Sequence, residues 1–256
     1  MTHSLENRTA LVTGASRGIG RGIAIELAQA GARVGLMARS RSDLEEVSAV
    51  IRDAGGAALP LPADVGDADQ THAALEELVR EFGPVEVLIN NAAVVSPLGP
   101  TRALDSGELA AAIAINVIGP MTLAVRVLPG MLAADWGRIL NVSAAIAGHP
   151  GMVVGLNTYA ASKGALEAHT LNLAAELEGT GITVNAYRPG TVDTSMQAYI
   201  RAQPRERIGA SLHDRFTAML EAGTLITPQA TARSLLARLG PESGQIWDVN
   251  DPVAAT

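Results

Sequence analysis

The chain has 256 residues, of which 48% are hydrophobic, 18% charged and 3% aromatic. That is material for a sizeable aliphatic core of Ala, Val, Leu and Ile, and such a core suits parallel strands buried on both faces by helices. The net charge of −7 and a pI near 5.2 set an acidic surface against polyphosphate and exclude nucleic acid as a main partner. Five scattered histidines and no cysteine exclude a structural zinc site and any disulfide, so no metal is expected.

The first eight residues are polar and lack the basic-then-apolar order of a signal segment. Residues 9–13 predict a strand, and 19–30 a helix stopped by Gly31. A strand at 33–38, a helix at 42–54 and a short strand at 57–62 follow. Asp67 stands where it would cap a helix over 67–82. A strand at 85–90 runs into a Pro- and Gly-rich loop at 96–100. Helical material fills 104–134, 138–143 reads as strand, and a long helix covers 158–178. A strand at 182–187, a helix at 228–239 and a last short strand at 245–249 complete the order. The most apolar stretch, 109–125, is interrupted by Asn116, Gly119 and Pro120 and followed by Arg126. It reads as a buried helix and not as a membrane span, so a cytoplasmic protein with no membrane partner is expected.

Strands alternating with helices imply βαβ units, and right-handed crossovers make the resulting parallel sheet doubly wound. The fold class is therefore α/β, with about seven strands flanked by helices. No linker, repeat or composition break divides the chain, so residues 1–256 are expected to form a single domain. The segment 194–225 fits least well. It is polar, carries Arg201, Arg205, Arg207 and Arg215, and is either a substrate lid or a surface insertion.

Between the first strand and the first helix lies Thr13-Gly14-Ala15-Ser16-Arg17-Gly18-Ile19-Gly20. Glycines there let the backbone turn sharply and approach a pyrophosphate, which the free N–H groups of the following helix can bind. This makes the sheet Rossmann-like and the ligand a dinucleotide. The spacing is G-x-x-x-G-x-G, and it resembles the classical short-chain dehydrogenase/reductase family. The resemblance continues along nearly the whole chain. Asn90-Asn91-Ala92-Ala93 matches the family's Asn-Asn-Ala-Gly element with Ala93 in place of Gly. Asn116 stands at the helical active-site Asn, Tyr159-Ala-Ala-Ser-Lys163 matches Tyr-x-x-x-Lys, and Pro189-Gly190 follows the sixth strand.

The resemblance implies a nicotinamide cofactor held by Gly14, Ser16, Arg17, Gly18, Ile19 and Gly20. It implies further that Asp64 and Val65 lie by the adenine, that Asn91 and Ala92 lie near the adenosine ribose, and that Pro189, Gly190, Val192 and Thr194 lie around the nicotinamide. Asp64 reads equally as a turn or capping carboxylate, and both roles can coexist. An acidic residue at the end of the second strand would bind the ribose hydroxyls of NAD. Here that strand ends Met37-Ala38-Arg39-Ser40-Arg41. Arg39, with Arg17, instead suits a 2′-phosphate, so NADP(H) is expected. The bland alternative is that Arg39 and Arg41 are solvated charges opening a helix.

Tyr159 and Lys163 are four apart and share one helix face. A free tyrosine titrates near 10, and lowering it by about 3 units would take about 4 kcal/mol from the ammonium and the nicotinamide ring. Tyr159 would then exchange a proton with a carbonyl or alcohol oxygen, while Lys163 also holds the nicotinamide ribose. Asn116 would hold a helix kink and a proton-relay water by family position, or simply satisfy a backbone group. The family's serine after the fifth strand falls on Ala144, with Ser143 one place early. Successive strand side chains face opposite ways, so Ser143 serves only if a bulge rotates it into place; otherwise that donor is missing.

The expected function is an NADP(H)-dependent interconversion of a ketone and a secondary alcohol by hydride transfer, with a small-molecule carbonyl or alcohol as partner. A 3-oxoacyl thioester reductase falls within that class. The alternative is an NADPH-binding regulator with impaired chemistry, suggested by Ala144. The family's habit implies a homodimer or homotetramer through segments 104–134 and 164–176. The closing Gly244-Gln245-Ile246-Trp247-Asp248-Val249 lacks the family's Asp-Gly-Gly ending.

Overall fold

The computed structural model describes residues 5–252, so the ends of the expected 1–256 span lie outside the described residues. Seven strands form one parallel sheet in the order β3-β2-β1-β4-β5-β6-β7. They are β1 (Thr9–Thr13), β2 (Arg33–Ala38), β3 (Ala57–Pro62), β4 (Val87–Asn90), β5 (Gly137–Val142), β6 (Ile182–Arg188) and β7 (Ile246–Asp248). The order reverses between β1 and β4, and the crevice beyond the carboxyl ends of those strands is where such a sheet binds its ligand.

Period-two alternation sends each strand's side chains into two separate cores. Ala10, Val12, Val87, Ile89 and Leu140 join Ile23 and Leu27 of α1 (Gly18–Gln29), Leu44 and Ile51 of α2 (Arg41–Asp53) and Leu235 of α10 (Pro228–Leu236). Leu11, Leu88 and Ile139 face the other way. They meet Leu78 of α3 (Ala68–Phe82), Leu123 and Met131 of α5 (Gly119–Ala134) and Leu173 of α6 (Asn157–Glu176). Side-chain caps start α2 and α3 as their residue types require. Ser40 accepts from the Asp43 N–H, and Asp67 accepts from those of Asp69 and Gln70.

Two stretches depart from a plain reading of the pattern. The helical material at 104–134 is not one helix. It comprises α4 (Ser106–Ile113), a π-helical turn (Ala114–Ile118) and α5. The stretch Ser106–Ala134 is long and apolar enough to cross a bilayer, yet 44% of its apolar window is buried inside the protein. It is a core element, with one exposed apolar face at Ile118, Met121, Val125 and Leu132. The polar segment 194–225 folds into α7 (Ser195–Arg201), α8 (Arg205–Ile208) and α9 (Ala210–Glu221). Its buried apolar residues Ile200, Ile208, Leu212 and Phe216 form a third core with Val95, Leu98, Ile146 and Leu156. Three short helices with one buried side chain per turn or so carry too little periodicity to be seen in sequence.

Candidate active site

A cleft of about 640 Å³ opens at the carboxyl ends of β1, β2 and β4 to β6. Its floor is the turn from β1 into α1. Gly14 and Gly18 have φ of +66° and +56°, which only glycine adopts freely. A Cβ on Gly14 would lie 2.8 Å from the Asn91 Nδ2, and one on Gly20 would lie 2.2 Å from the Gly14 carbonyl oxygen. The turn is therefore pinned against β4. Asn91 Nδ2 donates to the Thr13 carbonyl at 2.9 Å, while Thr13 Oγ1 accepts from the Asn91 and Ala92 N–H groups at 3.0 Å each. No side chain caps α1, and no acidic residue stands in its first turn. Its free N–H groups face the cleft and are left for an anion. These residues fit the pyrophosphate of a dinucleotide.

Gly14, Ser16, Arg17, Gly18, Ile19, Arg39, Asp64, Val65, Asn91, Ala92, Ser143, Tyr159, Lys163, Pro189 and Thr194 all line this cleft. Gly20 lies behind the turn. Gly190, with φ +74°, packs on Ile226 and Val249, and Val192 bridges to Ile226. These three shape the wall from behind and do not themselves line it. Arg17 and Arg39 are exposed on the outer rim. Asp64 sits 4.0 Å from Arg39 and also accepts from the Gly66 N–H at 2.9 Å, so it is both a turn carboxylate and part of the rim. Ser40, Val94, Ser96, Met196 and Tyr199 line the cleft as well, and sequence reasoning missed them. Ser40 adjoins Arg39 and was within reach. The Ser96 Oγ donates to Tyr199 Oη at 3.0 Å across 103 residues, a contact no local pattern announces.

Tyr159 and Lys163 lie together at the inner end, with the Lys163 Nζ 5.7 Å from the tyrosine ring centre. Lys163 is 2% exposed, and its Nζ donates to the Val142 carbonyl at 2.7 Å. Desolvation pulls its pKa down to about 8, opposed by the charge of Glu167. The expected lowering of Tyr159 is not produced by the protein's own groups: burial pushes that hydroxyl up to about 12. The tyrosine is thus held protonated. Asn116, fully buried in the π turn, spans the Val94 peptide and donates to Ser162 Oγ at 3.0 Å.

The bulge that would rotate Ser143 is not formed. β5 pairs with β6 in unbroken register through Val142 and Tyr187, and the Ser143 N–H goes on to the Tyr187 carbonyl at 2.8 Å. The Ser143 hydroxyl donates to Glu167 Oε1 at 2.7 Å. Ala144 packs instead in the apolar cluster beside Tyr159. Glu167, bound in turn by Arg188, is a further group that sequence reasoning passed over.

A doubly wound sheet with a glycine turn at its switch point and a Tyr–Lys pair at the strand ends defines a dinucleotide-binding oxidoreductase. The chain belongs to the short chain dehydrogenase family, whose model matches residues 8–205. It is 37% identical over 205 residues to the 3-oxoacyl-[acyl-carrier-protein] reductase of Pseudomonas aeruginosa, covering 80% of this chain and 82% of that protein. It is 36% identical over 196 residues to a short chain dehydrogenase of Pseudocercospora fijiensis, spanning 76% of this chain but 62% of that longer protein. An actinorhodin polyketide ketoreductase variant solved with NADPH superposes with a TM-score of 0.84 at 33% identity, covering 97% of each chain.

Proposed function

We propose that this oxidoreductase uses NADP(H) to interconvert a ketone and a secondary alcohol. The observation that carries the reading is the half-buried Tyr159 paired with the buried Lys163 at the inner end of a cleft whose outer rim offers Arg17 and Arg39, with Ala38 ending β2. The reduced nicotinamide, when bound, supplies the hydride to the carbonyl carbon. Tyr159 gives its O–H proton to the carbonyl oxygen, and a hydroxyl held near 12 is in the form that can do so. Lys163 holds the nicotinamide ribose and places positive charge beside the tyrosine. The glycine turn, Asn91 and Ala92 seat the phosphates and adenosine ribose. Val65 and Asp64 flank the adenine, and Pro189, Gly190, Val192 and Thr194 shape the nicotinamide pocket.

Asn116 positions the loop at Val94 that forms the substrate side of the cleft. The helices of 194–225 cover that side as a lid on a single domain. The 3-oxoacyl reductase and polyketide ketoreductase among the relatives favour a 3-oxo thioester or a related ketone. The exposed apolar face of α5 supports a homodimer or homotetramer, and the reading places the protein in the cytoplasm. NADPH consumption over a panel of ketones and 3-oxoacyl thioesters, with NADH as comparison, tests it. Turnover with NADPH at least about tenfold above NADH is expected from one charge-assisted contact. NADPH binding without turnover on any member would overturn the enzymatic reading in favour of a regulator.

A further inference from the structure

Behind Lys163 lies a closed arrangement of buried polar groups that substrate contact does not explain. Glu167 follows Lys163 by one helical turn and is 7% exposed, and Ser143 is 1% exposed. The carboxylate of Glu167 accepts from Ser143 Oγ at 2.7 Å, from Arg188 Nε at 2.8 Å and from Arg188 Nη2 at 2.7 Å. Ser143 directly follows Val142, whose carbonyl receives the Lys163 ammonium. Arg188 directly precedes Pro189, and a Cβ on Gly148 would come within 2.9 Å of its Nη2. One carboxylate therefore ties together the end of β5, the end of β6, the loop carrying Ala144, and the helix carrying Lys163.

We propose that Glu167 is a positioning residue for Lys163, that the Ser143–Glu167–Arg188 staple sets both the place and the charge of its ammonium, and that the Ser143 hydroxyl serves this staple and not the substrate. This rests on the reading of Lys163 as the cation that holds the cofactor ribose. The groups facing Lys163 are few. On α6 they are Tyr159 and Glu167. From β5 comes the Val142 carbonyl, and from β6 comes Arg188, behind Glu167. Desolvation works against the ammonium, and Glu167 is the charge that opposes it. A buried carboxylate paired in two places by a guanidinium has part of its field cancelled. Hence Lys163 feels the difference between the two charges, and removing one or the other must move it in opposite directions.

The test is the pH dependence of NADPH affinity, followed by nucleotide fluorescence from pH 6 to 10, with kcat measured alongside. In the intact protein, affinity should weaken as pH rises through the Lys163 titration. Glu167→Gln keeps the shape and removes the negative charge, so this basic limb should move down by about 0.5–1 pH unit. Arg188→Gln leaves Glu167 uncompensated and should move it up, the double variant should return it towards its original place, and Arg188→Lys should leave it there. Ser143→Ala removes one of the three hydrogen bonds to Glu167, so kcat should fall by about tenfold at most, whereas loss of a substrate donor costs about 10²–10³. Shifts of the same sign in Glu167→Gln and Arg188→Gln would overturn the proposal. So would a flat profile in the intact protein, or a kcat loss of about 10² or more in Ser143→Ala. If Arg188→Gln does not fold, Glu167→Gln and Arg188→Lys decide: the first must move the limb and the second must not. Because the readout is binding, it stands even if no ketone is turned over, a result that would defeat only the proposed reaction.

Discussion

Asn116 holds both polar ends of Val94: its Oδ1 accepts from the Val94 N–H at 2.8 Å and its Nδ2 donates to the Val94 carbonyl at 2.8 Å. The π turn is what aims the side chain there, since one extra residue per turn swings Asn116 off the regular helical track and towards the loop after β4. Asn116→Ala leaves both groups of Val94 without their partner. Thermal or denaturant unfolding should show a loss of about 2 kcal/mol, and kcat should fall more than NADPH affinity, because the loosened loop lies on the substrate side.

Tyr159→Phe removes the proposed proton donor and leaves the ring in place. The expected result is a drop in kcat of about 10²–10⁴, with NADPH affinity within about threefold, less than the tenfold that one charged contact is worth. Steady-state kinetics beside fluorescence titration reads both. An equal loss of binding would place Tyr159 in the cofactor seat alone.

Arg39 stands exposed on the rim, 4.0 Å from Asp64, and its guanidinium is well hydrated, so its contribution to a 2′-phosphate is discounted accordingly. Arg39→Ala should raise the Kd for NADPH about tenfold and leave that for NADH nearly unchanged. A parallel weakening of both would return Arg39 to the role of a solvated charge opening α2.

Ala144 points into the apolar cluster beside Tyr159, one residue past a serine that faces Glu167. Ala144→Ser restores a hydroxyl at the family's position. It should raise kcat, by as much as about 10² if a donor to the substrate oxygen is what the site lacks. An unchanged kcat would mean that another cleft hydroxyl, such as that of Ser96 or Tyr199, already serves the oxygen.

The rate of carbonyl reduction should hold between pH 6 and 7 and fall as pH rises through about 8. The sign follows from the lysine. Burial depresses its titration, so the ammonium is present below that pH and lost above it. Tyr159, pushed up to about 12, stays protonated throughout and adds no limb. A pH–rate profile at saturating substrate and cofactor checks this.

Local chemistry made much of the molecule legible. Short, mostly apolar runs such as 9–13 and 33–38 are strands with those bounds, because a strand buried on both faces needs consecutive apolar residues and little else. Asp67 caps its helix as expected, since capping depends only on residues two or three away. The glycine turn was readable for the same reason, its spacing being set by positive φ at Gly14 and Gly18 and by the close approach of Gly20 to the Gly14 carbonyl. Tyr159 and Lys163 needed only the helical repeat to be set on one face.

What the sequence left open were relationships across long distances in the chain. That Ser143 is spent on Glu167 depends on α6 crossing behind β5, and period-two alternation says only that it faces away from Ala144. Asn116 in the π turn finds its partner, Val94, 22 residues earlier. The three helices of 194–225 are held by Val95, Ile146 and Leu156, not by their own patterning. Without the nicotinamide ring, the Tyr159 hydroxyl is pushed up by desolvation, a property of the whole fold. The sequence alone determined the class of chemistry through short-range geometry. Only the tertiary structure decided which hydroxyl and which carboxylate pair behind Lys163, because burial and long-range pairing set their energies.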